Sequence, residues 1–405
     1  MSAARGAKPK LAVIGASHFQ LPLIRTAQRM GCEVHAFAWR SGDAGESAAD
    51  RFYPISITEV DKITHTCREI GIQGICTIAS DLATVAVCHV ADALGLVGNP
   101  LSCMRVSTNK ALMRAAFFAA GDPSPQSVLV RADEIEGFDA DDHGLGWPLV
   151  VKPADRSGSR GITKIEGPDD PISLRDAMQS ALEQSFCKEV LVEEYAVGDE
   201  FSVEGMSWQG SHHVLAITRK GTTGAPHFIE TAHLEPALLD ATTSASVKAV
   251  TLHALDSLGV RNGASHTELK IAPDGTIRII EIGARMGGDC IGSHLVHLST
   301  GIDYVRAVVD VALGREPDLH ATHAPGAAAV RFLFSSEDRV WYERLLREHP
   351  DLVRYSYLAD VADGGREVTD SSKRLGHVVL SAPDVRDLLP HLPEELVGTA
   401  KGGRA

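Results

Sequence analysis

Glu268 and Glu281 lie on either side of a Pro273-Asp274-Gly275 reversal in the segment SHTELKIAPDGTIRIIEIG. Pro, Asp and Gly in that order favour a tight turn, so the flanking apolar runs predict a hairpin across 264–283. A turn centred there sets Glu268 directly opposite Glu281, with Leu269, Ile271, Ile280 and Ile282 on the other, buried face. Facing positions sit roughly 5 Å apart, and like charges so placed repel. Either a divalent cation bridges the two carboxylates, with oxygen ligands that suit Mg2+ better than zinc, or the face is solvated and Lys270 and Arg278 supply counter-charge. The residues alone leave both open, because a bulge would shift the register.

A second segment, PLVVKP followed by ADRSGSRG, delivers Lys152 at the end of a strand and then a loop of small residues. Backbone N–H groups approach phosphate oxygens closely only where side chains are small, and a lysine adds a point charge. The Walker pattern G-x-x-x-x-G-K-[ST] is absent, and a plain surface turn has the same composition. A third segment, VEEYAVGDEFSVE, ends a strand in carboxylates, turns at Gly198 and re-enters a strand after Glu200. Exposed backbone at such a hinge can read an adenine edge and a carboxylate can read a ribose diol. Solvated acidic residues beside a turn fit it equally well.

These segments need elements to hold them. Leu11–Ile14, 34–38 and 74–79 read as short buried strands, alternating with helical stretches, the last of which runs from Asp81 to near Gly95. That rhythm predicts a doubly wound parallel sheet. Gly15 follows the first strand, but the G-x-G-x-x-G dinucleotide fingerprint is missing. Ser107-Thr108-Asn109-Lys110 leads into a capped helix ending at Gly121, and Pro123 and Pro125 then break the chain. Further strands are expected at 148–152, 189–195 and 201–206, with helices near 173–186 and 243–258. The tail holds two strands, AAVRFLF and HVVLSA. Division into domains is expected at 1–105, 106–320 (with a lid about 125–195) and 321–405.

The 405 residues carry 39 Lys and Arg against 53 Asp and Glu, a net charge of −14. An acidic surface repels phosphate backbones and anionic lipid, so neither nucleic acid nor membrane is an expected partner. No apolar run approaches the roughly 18 residues of a membrane span. Seven cysteines with no C-x-x-C pair fit reduced thiols and a cytoplasmic location.

Together, in this order and spacing, Lys110, Lys152 with its Gly/Ser loop, the E-E-Y-x-x-G-x-E hinge and the carboxylate pair ending in Glu281-Ile-Gly-Ala-Arg285 resemble the ATP-grasp superfamily. The resemblance runs from about Leu11 to Gly314. It is strongest to the L-amino-acid ligases, the dipeptide-forming carboxylate–amine ligases, which carry an arginine four residues after the second metal carboxylate. It implies an ATP-grasp fold of α/β and α+β class: a doubly wound parallel-sheet domain, central grasp lobes and a small C-terminal α+β lobe. By similarity, Lys110 and Lys152 contact ATP phosphates, and Ser157, Gly158, Ser159 and Gly161 belong to the loop folding over them. Glu193 and Ala196 offer main-chain groups to adenine, and Glu200 binds the ribose. Glu268 and Glu281 hold Mg2+, for which Mn2+ can substitute, and Arg285 stabilises the anionic intermediates. Glu230 and His233, in a loop before the hairpin, contact the amino-acid substrate. The implied reaction activates a carboxylate as acyl phosphate and joins it to an amine, and a homodimer is expected by analogy.

One departure is informative. D-alanine–D-alanine ligases place an asparagine two positions after the second metal carboxylate, where this chain has Gly283. Asp289 falls either at a pocket-shaping position or at a helix start, where it complements the dipole. His294 and His297 are expected to be packing residues. Two other readings compete: a carboxylase-type relative that activates bicarbonate, and a nucleotide-binding module without turnover.

Overall fold

The structure, a computed structural model, describes residues 7–156, 158, 160–359, 368 and 370–397. Four short strands form the first sheet: β1 (Lys10–Ile14), β2 (Glu33–Phe37), β3 (Arg51–Tyr53) and β4 (Gly74–Cys76). They run parallel in the order β3-β2-β1-β4. Strands β1, β2 and β4 are buried almost throughout, as parallel strands covered on both faces require, whereas the edge strand β3 is partly exposed. The helix Asp81–Leu94 leaves this sheet with Ser80 as its N-cap and Gly95 in the left-handed conformation at its end. Lys110–Ala120 is likewise capped by Asn109 and closed by Gly121.

A second sheet comprises β5 (Ser127–Arg131), β6 (Leu149–Pro153), β7 (Thr163–Ile165) and β8 (Glu189–Glu194). Its antiparallel order is β5-β8-β6-β7, backed by the helix Leu174–Gln184. The third sheet has eight strands. They are β9 (Asp199–Trp208), β10 (Ser211–Thr222), β11 (Glu230–Glu235), β12 (Gly263–Ile271), β13 (Ile277–Gly283), β14 (Ala327–Leu333), β15 (Val353–Leu358) and β16 (Gly376–Ala382). Their order is β13-β12-β9-β10-β11-β14-β16-β15. The strands of the tail therefore extend the sheet that carries the hairpin, and the boundary expected near 320 falls between strands of one sheet. Tyr304 locks the first sheet's helical cover to this one: its fully buried hydroxyl donates to the Gly205 carbonyl at 2.8 Å and lies 3.2 Å from that of Ser265.

Three sequence expectations need correction. The segment around Glu230, expected as a loop, is the interior strand β11, paired with β10 and β14. Strand β10 has no counterpart among the expected elements. The third early strand stops at Cys76, and 77–80 form the turn into the next helix.

Strand β11 also buries a carboxyl group. Glu235 is fully enclosed and accepts hydrogen bonds from Thr218 Oγ1 (2.6 Å) and Ser299 Oγ (2.5 Å). Burial outweighs these donors and raises its pKa to about 7. The stability it gives by staying protonated is complete below the ordinary carboxyl range and is lost as pH rises through 7. The advantage of the wild type over Glu235→Gln is therefore expected to shrink by about 2–3 kcal/mol between pH 4.5 and 8 in denaturant melts. A pH-independent difference would contradict this.

Candidate active site

The hairpin forms, and Glu268 pairs directly with Glu281 across β12 and β13. A bulge follows at Leu269, which then faces Ile279 instead of Ile280. Leu269, Ile279 and Ile282 are fully buried, whereas Ile280 and Glu281 line a cavity on the opposite side. The expected burial of Ile280 is thus corrected by the register shift. Neither Lys270 nor Arg278 neutralises the glutamates. Lys270 donates to the Tyr195 hydroxyl (3.2 Å) and lies over its ring, and Arg278 reaches the Ile277 carbonyl. The counter-charges come from distant elements. Lys110 lies 2.9 Å from Glu281 Oε1, and Lys220 of β10 lies 2.6 Å from Glu268 Oε1.

Lys220 is the cation that the sequence did not flag. Its buried ammonium also meets Glu200 at 3.0 Å and Glu230 at 3.8 Å. Burial alone would push its pKa down, but Glu268, Glu200 and Glu230 raise it well above the usual lysine value. These carboxylates belong to β9, β11 and β12, separate strands brought together by the antiparallel order. A lysine at position 220 becomes recognisable only once β10 is known to lie between β9 and β11.

On the other side of the cavity, Lys152 ends β6 and pairs with the buried Glu193 carboxylate, which also receives Arg114 Nε at 3.0 Å. Burial opposes the charge on Glu193, yet these two cations hold its pKa below the usual range. Its side chain therefore fixes Lys152, and its main chain belongs to the interior strand β8. Glu194, Tyr195 and Ala196 follow on the cavity wall, with Tyr195 between the ammonium groups of Lys164 and Lys270. Gly198 turns the chain back with φ of 120°, and a Cβ there would fall 2.1 Å from the Ile271 carbonyl oxygen. Only glycine fits that approach.

The lining of one cavity thus includes Lys110, Lys152, Gly158, Glu193, Ala196, Glu200, Glu230, Glu268 and Glu281. Gly161 lies off it, where a Cβ would crowd Pro153. Ser157 and Ser159 lie outside the described residues. An adjoining cavity of about 540 Å3 shares Lys110, Arg156 and Glu281 and reaches Ser80, Asp81 and Leu82 at the start of the helix that leaves the first sheet.

His233 is not on the cavity wall. It is fully buried in β11 against the edge of Phe332, and neither ring nitrogen has a hydrogen-bond partner among the described residues. Burial, reinforced by Lys220, lowers its pKa well below the usual value, so its ring is neutral. The bulge that leaves Thr231 unpaired keeps His233, which sits opposite Lys220, on the same sheet face as Glu230, but its burial beneath the cavity lining does not support its expected contact with substrate. Glu230 itself accepts from Arg374 Nη2 at 2.5 Å and Ser371 Oγ at 3.0 Å, and Arg374 also reaches Asp289 at 2.9 Å. Asp289 is thus an ion-pair partner. His294 stacks on Tyr355, in keeping with a packing role.

Arg285 forms a bidentate pair with Asp81 at 2.7 and 3.0 Å. Burial works against both charges, but the pairing holds the Asp81 pKa down and the Arg285 pKa up. Gly283 explains the departure from the asparagine pattern. A Cβ at 283 would lie 3.0 Å from Asp81 Oδ1 and 3.3 Å from Arg285 Cζ, so a side chain there crowds the pair.

The two opposed carboxylates offer hard oxygen donors suited to Mg2+, which commonly takes one or two carboxylates and completes its shell with phosphates and water. No group of three or more His, Cys, Asp or Glu side chains among the described residues could hold a metal alone.

Residues 145–293 match the family model of the ATP-grasp domain. The chain thus carries an ATP-grasp domain. Beyond that segment, the chain is similar to the L-amino-acid ligases. It is 28% identical over 280 residues to the alanine–anticapsin ligase of Bacillus subtilis strain 168, covering 64% of this chain and 58% of that protein. It is 29% identical over 207 residues to dapdiamide A synthase of Enterobacter agglomerans, covering 49% and 47%. The chain thus spans about half to three-fifths of the length of these relatives. The fold matches that of the L-amino acid ligase from Bacillus licheniformis with a TM-score of 0.77 at 24% identity, covering 96% and 97% of the two chains. It also matches carboxyaminoimidazole ribonucleotide synthase from Aspergillus clavatus with a TM-score of 0.77 at 14% identity, covering 98% and 99%. No described helix is long and apolar enough to cross a membrane.

Removing one partner from a buried ion pair strands the other charge. Lys220→Met is therefore expected to cost about 3–5 kcal/mol in denaturant melts, with part recovered on adding Glu268→Gln. A loss below about 1 kcal/mol would show that the three carboxylates do not depend on Lys220.

Proposed function

We propose that the protein is an ATP-dependent carboxylate–amine ligase that joins an amino-acid carboxylate to an amine, releasing ADP and phosphate. The observation that carries this reading is the facing of Glu268 and Glu281 on a cavity wall that also holds Lys110, Lys152 and the 194–200 hinge.

A carboxylate is a poor electrophile. In the proposed reaction one of its oxygens attacks the γ-phosphorus, the bond to the leaving oxygen breaks, and ADP departs. The amine nitrogen then attacks the acyl carbon. A C–N bond forms, the C–O bond to phosphate breaks, and the nitrogen gives up a proton. Lys110 and Lys152 bind phosphate oxygens, the main chain of the hinge at Ala196 receives adenine in place of that of Glu193, which is paired within the sheet, and Glu200 takes the ribose hydroxyls. Glu268 and Glu281 hold the Mg2+ that screens charge on the transferring group when bound. The Ser157–Gly161 loop excludes water that would hydrolyse the acyl phosphate. Catalysis in this scheme is positioning and electrostatics.

Arg285 stabilises the anionic species from the edge nearest Asp81, which fixes its guanidinium. The adjoining cavity, which shares Lys110 and Glu281, gives a substrate access to the phosphoryl end. Glu230 already accepts from Arg374 and Ser371, with Lys220 at 3.8 Å. With its oxygens already engaged by these donors, its proposed role is to orient the amine.

Amino-acid-dependent ADP release over a panel of amino-acid pairs, with a product mass equal to the pair less water, is the expected result. Equal turnover without amino acids, or turnover stimulated by bicarbonate instead, would overturn the reading. Asp81→Asn is expected to lower kcat by about 10- to 100-fold while leaving the KM for ATP within about threefold. Loss confined to the KM for ATP would remove Asp81 from this role.

A further inference from the structure

The sheet encloses a polar chain that the scheme above does not use. Glu204 of β9 is fully buried and sits directly opposite His266 of β12 in the strand register. Its Oε1 pairs with His266 Nδ1, and its Oε2 accepts the Gly287 N–H at 3.0 Å. The other ring nitrogen of His266 lies 3.3 Å from Glu268 Oε1. One continuous line of contacts thus runs from the turn just after Arg285, through Glu204 and His266, to a carboxylate of the proposed metal pair.

Gly287 shows how tightly this line is built. A Cβ at that position would lie 2.6 Å from Glu204 Oε1 and 2.7 Å from His266 Nδ1. The turn can close on the pair only because residue 287 has no side chain. Glu204 needs such partners, since a buried carboxylate without them is costly. In return it fixes the imidazole plane, so the second ring nitrogen has a single direction in which to point.

We infer that His266, held by Glu204, is a positioning residue that sets the orientation of the Glu268 carboxylate and couples it to the turn carrying Arg285. This rests on the reading of Glu268 and Glu281 as the metal-holding pair. Outer groups that orient a ligand are commonly worth about 10- to 100-fold in metal affinity. Lys220 grips the same oxygen, so Glu268 is held from two sides, by a flexible ammonium and by a fixed ring.

The test is Mn2+ binding to the full chain with a non-hydrolysable ATP analogue, read by electron paramagnetic resonance alongside a thermal melt. His266→Asn keeps a group near Glu204 but loses the reach to Glu268. It is expected to weaken Mn2+ about tenfold or more while the KM for ATP moves less. His266→Gln, which extends further, is expected to recover part of the loss. Gly287→Ala leaves every proposed ligand in place and is expected to weaken Mn2+ in the same direction. If His266→Asn is unfolded in the melt, Gly287→Ala and Glu204→Gln decide. Mn2+ affinity within twofold of wild type in the folded variants overturns the inference. Glu268→Gln separates this from the reading beneath it. If that variant binds Mn2+ as the wild type does, the metal pair itself is wrong. If it binds weakly while His266→Asn binds normally, only the positioning role fails.

Discussion

Two carboxylates facing each other across a strand pair cannot both stay ionised without a cation between or beside them. The rest of the site follows from that constraint. In the structure the charge on Glu281 is met by Lys110, from the helix Lys110–Ala120, and that on Glu268 by Lys220, from β10. Neither lysine is near its partner in sequence. The folded sheet brings the opposite charges together, and the same acidic pair gives a nucleotide-bound magnesium the oxygen donors it prefers.

The surrounding polar groups are held by the same logic of pairing. Glu193 is shared by Lys152 and Arg114, Glu230 by Arg374 and Ser371, and Arg285 is clamped by Asp81. Such buried pairs are weak evidence for stability, because desolvation offsets much of their attraction. Their value here is geometric. Each sets the direction of a side chain that must meet a charged substrate, and the close approaches at Gly198, Gly283 and Gly287 let backbone or guanidinium reach the groups they hold.

Much of this was legible in the sequence, for identifiable reasons. The turn at Pro273-Asp274-Gly275 set the pairing of Glu268 with Glu281, and the polar run 107–110 together with Gly95 and Gly121 marked helix ends. Local signals of this kind act within a few residues and survive without tertiary context. What failed was non-local. Strand β10 carries Lys220 but lacks a turn signature strong enough to announce it, and β11 resembled a loop because Glu230, Thr231 and His233 are polar. Their burial depends on which strands flank them. The bulge at Leu269 moved Ile279 into the core in place of Ile280, a shift that hydrophobic alternation alone could not reveal. Asp81 was read as a helix start, and its pairing with Arg285 joins residues from opposite ends of the fold.

The most direct test of the central claim is anomalous diffraction from crystals grown with Mn2+ and a non-hydrolysable ATP analogue. The account predicts an anomalous peak within about 2.0–2.3 Å of an oxygen of both Glu268 and Glu281, in contact with the nucleotide's terminal phosphates. A nucleotide bound in the cavity with the metal elsewhere, and both glutamates still bound only to Lys220 and Lys110, would contradict it.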